Sequence, residues 1–294
     1  MEQDATLTTD AGGADAAATP EAVQQFLSLL ALEPIDRDLF RAWNPPIPAG
    51  PRQALFGGQV AAHALRAASL TVDAPHYPHS LHGYFLRPGK DDAPTILRVD
   101  RIRDGRSFTT RTVVAQQDGE AIFSLTASFH RDEPGREFAT PIADDVPPPE
   151  ELIARNGLMR GPWHAELPFD RVEIPEFSHM ERSETPRRVM WIRIRGPVPD
   201  DIHLHAAILT FISDMGVVGA VRAALGRLHE HGMGASLDHS LWFHRHVRPD
   251  QWLLFDVSSR SNAGARGLGL GTIHTVDGIH AMTIGQEALV RLSD

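Results

Sequence analysis

The chain has 294 residues, a formal net charge of −10 and no cysteine. That length holds one large domain or two medium ones. The acidic balance argues against a broad nucleic-acid or anionic-membrane surface, and the missing thiols exclude disulfides, thiolate metal sites and a cysteine nucleophile.

In chain order, Met1 to Thr19 is rich in Ala, Thr, Asp and Gly. It has neither the basic nor the apolar region of a signal peptide, so a disordered lead-in is expected. No apolar run is read as approaching the roughly 18–20 residues of a membrane span, and a cytoplasmic protein with no membrane partner is expected. Pro20–Leu32 has the spacing of a short amphipathic helix, and Ile35–Trp43 reads as a strand. Asn44–Pro51 holds four prolines and must be a loop. Phe56-Gly57-Gly58-Gln59 then opens a helix over Val60–Leu70 that is apolar nearly all round and therefore buried. Its two glycines allow close backbone approach. Strands follow at Ser80–Arg87, Thr95–Arg103, Ser107–Gln117 and Ala121–Arg131, the last two joined by an Asp118-Gly119 hairpin turn. Residues 132–177, with Pro147-Pro148-Pro149, read as a long surface linker. The plan then repeats. A strand at Val189–Arg195 precedes a mostly helical Asp200–Leu225, and four strands follow at Gly234–Val247, Trp252–Ser259, Gly267–Thr275 and Ile279–Leu292.

The repetition extends to short motifs. His79-Ser80-Leu81 returns as His239-Ser240-Leu241 and Arg106 as Arg266, both at an offset of 160. Arg87-Pro88 returns as Arg248-Pro249 at 161, and Asp118-Gly119 as Asp277-Gly278 at 159. Two similar halves pack as a pseudo-dimer, with sites where they meet. The expected fold is α+β, a tandem double hot-dog of two antiparallel sheets each wrapping a buried helix. The expected units are residues 20–131 and 178–294.

Four segments, Phe56-Gly57-Gly58-Gln59, Tyr84-Phe85-Leu86-Arg87-Pro88-Gly89, Asp238-His239-Ser240-Leu241-Trp242-Phe243-His244 and Gln286-Glu287, make the chain resemble the type-II acyl-CoA thioesterases, the double hot-dog family of bacteria and peroxisomes. The resemblance runs from about Pro20 to Arg291. It implies hydrolysis of fatty acyl-CoA to free acid and CoA; no cofactor is expected. It also implies a catalytic trio at Asp214, Ser236 and Gln286. Thr is frequent in the family where this chain has Ser236. Ser keeps the hydroxyl but loses the methyl that stiffens its rotamer. A homodimer or higher homo-oligomer is expected, because hot-dog sheets pair at their edges.

Read physically, Asp214 is a carboxylate inside an apolar helix (Ile212-Ser213-Asp214-Met215-Gly216), which costs free energy unless paired or functional. It either caps a helix that breaks near Gly216 or serves as a base. Aligning Phe56 with Phe211, an offset of 155, sets Gln59 in its place in the first half. Only the second half therefore presents a group that can take a proton. Ser236 lacks a G-x-S-x-G elbow and is a poor nucleophile candidate, so its role is to hold a water. Gln286, in an apolar strand, needs partners for its amide. Substrate contacts are expected at Gly57, Gly58 and Gln59 near a helix N-terminus, and at Arg106 and Arg266 for CoA phosphates. A structural role is favoured for at least one of these two arginines.

The 16 histidines include His203/His205, His229/His231 and His244/His246 pairs, but no zinc spacing. His239 and His244 are assigned to packing and hydrogen bonding. Two other functions fit the fold. A hot-dog enoyl-CoA hydratase needs an Asp/His pair in a hydratase-type loop, and none is found. A non-catalytic acyl-CoA sensor has no need to keep a carboxylate at Asp214.

Overall fold

The computed structural model describes residues 20–44, 54–142, 145–159, 167–178, 186–225 and 233–291. The N-terminal lead-in lies outside them. The first half comprises α1 (Pro20–Leu29), β1 (Glu33–Asp36), β2 (Leu39–Ala42), α2 (Gly57–Ser69), β3 (His76–Phe85), β4 (Thr95–Asp104), β5 (Phe108–Gln117) and β6 (Glu120–Arg131). Then come α3 (Pro149–Asn156), β7 (Phe169–Glu173), β8 (Arg187–Ile194), α4 (Ile202–Ser213), α5 (Val217–Ala223), β9 (Met233–Ser236), β10 (Asp238–Phe243), β11 (Leu253–Ala263), β12 (Arg266–Thr275) and β13 (His280–Arg291).

Alternation drives the strands. In β5 the residues Thr109, Arg111, Val113, Ala115 and Gln117 are buried while their neighbours are not, the period of two expected of a sheet with one covered face. The apolar helices lie against that face. α2 packs on β4, β5 and β6, and α5 packs in the same way on β11, β12 and β13. The 155-residue offset therefore pairs these two helices. α4 lies against α2. Its N-cap Asp201 accepts from His203 N–H and Leu204 N–H, and Arg66 of α2 donates to the same carboxylate at 3.0 Å.

The two expected sheets are joined edge to edge. All strands belong to one antiparallel sheet ordered β1-β2-β4-β5-β6-β3-β10-β13-β12-β11-β8-β7, with β9 also on β13. The joint is the repeated motif itself. Leu81 stands opposite Leu241, with Ser80 opposite Trp242 and His82 opposite Ser240, so a pseudo-twofold passes between the two leucines. Both are fully buried. Leu81→Ala is expected to cost about 2–5 kcal/mol. Since the joint belongs to both halves, chemical denaturation should still show one transition at a lower midpoint, and separate transitions for the halves would contradict this.

Four local expectations need correction. The strand expected at Ile35–Trp43 is a hairpin, β1 and β2, reversed around Asp38 at φ 57°. The expected linker, residues 132–177, carries α3 and the edge strand β7. Its prolines start a helix, with Pro148 at the N-cap and Pro149 at the first turn, where a missing N–H costs nothing. Trp191 Nε1 donates to Pro147 O at 2.9 Å, and Leu152 packs in a second core cluster with Trp191 and Trp252. The strand expected at Gly234–Val247 is interrupted at Leu237, between β9 and β10.

The mostly helical Asp200–Leu225 breaks at Gly216, as one sequence reading of Asp214 has it, and the φ of 121° there strains any other residue. Ile202–Ala223 is also long and apolar enough to cross a membrane, contrary to the sequence reading. However, 83% of its most apolar window is buried inside the protein. It is a core helix pair.

Candidate active site

The break between α4 and α5 creates the site. Asp214 is the C-cap of α4, so the chain turn that ends the helix also sets a carboxylate at the sheet's inner face. Asp214 ends a helix, as one sequence reading has it, and it is also the focus of converging donors. Ser236 closes β9 and Gln286 lies in β13. Gln286 Nε2 donates to Asp214 Oδ1 at 2.8 Å and to Ser236 Oγ at 2.6 Å, and Ser236 Oγ donates to Asp214 Oδ1 at 3.3 Å. Gly58 N–H, at the start of α2, donates to Asp214 Oδ2 at 2.8 Å. The three expected catalytic residues thus touch one another, and the first half adds a helix N-terminus to them.

Burial dominates the electrostatics. Asp214 and Gln286 are buried and Ser236 is half-buried. Desolvation raises the Asp214 pKa above 3.8, although the Gln286 amide, Gly58 N–H and Ser236 donate to it and favour the charged form, as would a charge on His239. A carboxylate held this way is more basic than one in water.

The remaining expected contacts fall in different places. Gly57 lies against the carboxylate: a Cβ there would be 2.8 Å from Asp214 Oδ2 and 2.9 Å from Phe85. Gly58 serves the base through its N–H. Gln59 turns away from the trio. Its amide donates to Asn44 Oδ1 at 3.0 Å, and Asn44 in turn donates to Ala93 O and Thr95 Oγ1, a buried network that Gln117 completes. Its amide N–H is thus committed inside the first half rather than to the trio. Arg266 pairs with Glu287 at 3.0 Å on the exposed side of β13, as the structural reading expects. Arg106 lies exposed in the turn between β4 and β5, where its carbonyl faces His76 Nε2 at 3.2 Å.

One buried group beside the trio was read from the sequence as a packing and hydrogen-bonding residue, and the structure shows it hydrogen-bonded. His239 Nε2 lies 2.7 Å from Ser213 Oγ, next to Asp214 in sequence. The signal was in the DHS segment, but a strand histidine carries no mark of which ring nitrogen faces a site.

A family model described as "Acyl-CoA thioesterase N-terminal domain" matches residues 45–130, and one described as "Acyl-CoA thioesterase" matches residues 174–289. Acyl-coenzyme A thioesterase 8 of Mus musculus is 36% identical, covering 90% of this chain and 88% of that protein. Acyl-CoA thioesterase 2 of Haemophilus influenzae is 32% identical, covering 92% and 99%. Among solved structures, the acyl-CoA thioesterase II TesB2 of Mycobacterium marinum superposes with a TM-score of 0.78 at 36% identity, covering 91% of this chain and 98% of that one. A hot-dog protein of unknown function from Alicyclobacillus acidocaldarius, 22% identical, covers 92% and 99% with a TM-score of 0.76 and supports the fold. With relatives of this identity spanning nine-tenths of its length and both halves matched in order, the chain belongs to the acyl-CoA thioesterase family.

Proposed function

We propose that the chain hydrolyses fatty acyl-CoA to free acid and CoA, with Asp214 as general base, Ser236 Oγ as the group that holds the attacking water, and the Gln286 amide fixing both. The observation that supports this is the convergence of Gln286, Ser236 and Gly58 on one buried carboxylate at the junction of the halves. Asp214 takes a proton from water, and the resulting hydroxide oxygen bonds to the thioester carbonyl carbon. The carbonyl oxygen becomes an oxyanion. Gly58 N–H is already given to the carboxylate, so Gly57 N–H, at the positive end of α2, is the donor assigned to the oxyanion. Collapse breaks the carbon–sulfur bond, and the CoA thiolate leaves with the proton from Asp214. General-base assistance of this kind is worth ~10²–10⁴-fold. Neither Arg106 nor Arg266 is needed in these steps.

The test is thiol release from a panel of acyl-CoAs of increasing chain length, followed against pH. A base must be ionised to act. Activity is therefore expected to fall as pH drops through the Asp214 pKa, with a midpoint above the ordinary aspartate value of 3.8. An acid limb centred at or below that value would contradict the burial argument. Absence of thiol release from every acyl-CoA would contradict the activity.

A further inference from the structure

We propose that His239 is a positioning residue for this reaction: with its proton on Nδ1 it donates to Gln286 Oε1, and so holds the amide with its N–H side toward Asp214 and Ser236. The inference rests on the reading of Asp214, Ser236 and Gln286 as the catalytic trio. It begins with the register of the sheet. Ser240 of β10 stands opposite Gly285 of β13. One step further along the same antiparallel pair sets His239 opposite Gln286, and both side chains are fully buried. Gly83 flanks His239 on β3 and Gly269 flanks Gln286 on β12. Neither glycine offers a polar side chain, so the histidine and the amide have each other as neighbours across the row.

Two atoms of this pair are left without partners, His239 Nδ1 and Gln286 Oε1. Two buried orphans side by side on facing strands are rare, and each costs about 1–3 kcal/mol if unmet. A single proton on Nδ1 satisfies both. The opposite tautomer leaves two bare acceptors facing each other. Reversing the amide does not help, because it turns Oε1 toward the Asp214 carboxylate.

The other ring nitrogen permits this choice. His239 Nε2 is 2.7 Å from Ser213 Oγ, which also reaches Thr210 O at 2.8 Å. With Nδ1 protonated, Nε2 is an acceptor and the Ser213 hydroxyl turns from the Thr210 carbonyl to it. The resulting chain of donors runs Ser213, His239, Gln286, Asp214. Burial also depresses the basicity of His239, which keeps the ring neutral at neutral pH and makes the tautomer decisive. His239 touches neither water nor substrate in this arrangement. It acts by fixing which end of Gln286 faces the base.

Two readouts test this. The ¹⁵N and ¹H spectrum of the His239 ring in the intact protein is expected to show a proton on Nδ1 and none on Nε2. A proton on Nε2 alone overturns the proposal. Two variants then divide the ring's functions: His239→Asn keeps an amide N–H at the place of Nδ1, and His239→Gln keeps one at the place of Nε2. His239→Gln is expected to lower kcat by roughly 10–100-fold with little change in KM, the scale of a small misplacement of a catalytic group. His239→Asn should retain clearly more activity. Equal or better activity in the Gln variant means that only the Ser213 contact matters and overturns the assignment. If both variants fail to fold, the tautomer decides alone. Asp214→Asn measured in parallel keeps the two readings apart: full turnover in that variant removes the trio, whatever the ring shows.

Discussion

Asp214→Asn is expected to abolish acyl-CoA turnover and to gain stability relative to the parent as pH rises from strongly acidic to neutral. The first effect follows from removing the only group in the converging cluster that can accept a proton, a loss of at least ~10²-fold and up to ~10⁴-fold. The second follows from burial. Desolvation holds the Asp214 pKa above 3.8 in the folded state, so folding favours the protonated acid. The parent is then fully stable with respect to this group only below the unfolded value near 3.8, and it loses stability as pH rises through the higher folded value. An amide never ionises and escapes that loss, although in either rotamer its NH2 meets another donor, Gln286 Nε2 or Gly58 N–H, a cost that does not vary with pH. The difference in Tm between variant and parent should therefore open in favour of the variant as pH rises from strongly acidic to neutral. A Tm difference that does not move toward the variant as pH rises would contradict the burial argument. A variant that keeps full turnover would remove Asp214 from the chemistry.

Gly58→Ala is expected to harm stability and activity together. A Cβ at Gly58 would lie 2.6 Å from the carbonyl oxygen of Phe211 and 2.6 Å from the Phe56 ring. The Phe56 ring has little room to retreat, with the Phe211 ring centroid 4.9 Å away, and a main-chain oxygen in α4 cannot move without its helix. The two helices must separate, at a cost on the order of 1–3 kcal/mol. Because Gly58 N–H is one of the donors to Asp214, the same movement pulls the carboxylate out of register, and a shift approaching 1 Å can cost ~10²-fold in rate. A lowered Tm with kcat intact would show that the helix contact and the site are independent. Gly57→Ala is the companion, with its new methyl directed at Asp214 Oδ2 and Phe85. It should affect rate more than stability.

Much of this arrangement was legible before any coordinates. The duplicated His-Ser-Leu motif showed that the chain has two similar halves, while only the sheet register shows that the halves meet at that motif. Asp214 was conspicuous for its charge in an apolar segment, and Gly216 two residues later foretold the break. Ser236 and Gln286 came through family resemblance, since a serine at a strand end and a glutamine in a strand carry no local mark. The proline-rich stretch was misread because Pro147-Pro148-Pro149 signals both a loop and a helix start, and only the tertiary contacts of Leu152 and Trp191 decide between them. Gln59 was placed at the site by its alignment with Asp214. The alignment of the helices holds, but a side chain one half away found its partners in Asn44 and the loop beneath it. The single sheet was out of reach of a local reading, because strand pairing between halves leaves no trace in either half alone.

The fused pair of halves has a consequence for mutational drift. A homodimer built from one such half would carry its ionisable group twice, and any change to one copy would be a change to both. Here the two positions answer to separate codons. The first half has an amide at Gln59 and is spared a second buried charge, while its Gly57-Gly58 step remains tied to the Asp214 on the other side. Substitution tolerance along the chain should therefore be lopsided. The polar network around Gln59 is free to be rebuilt with other residues, whereas the two glycines beside it are held by the chemistry of a half to which they do not belong.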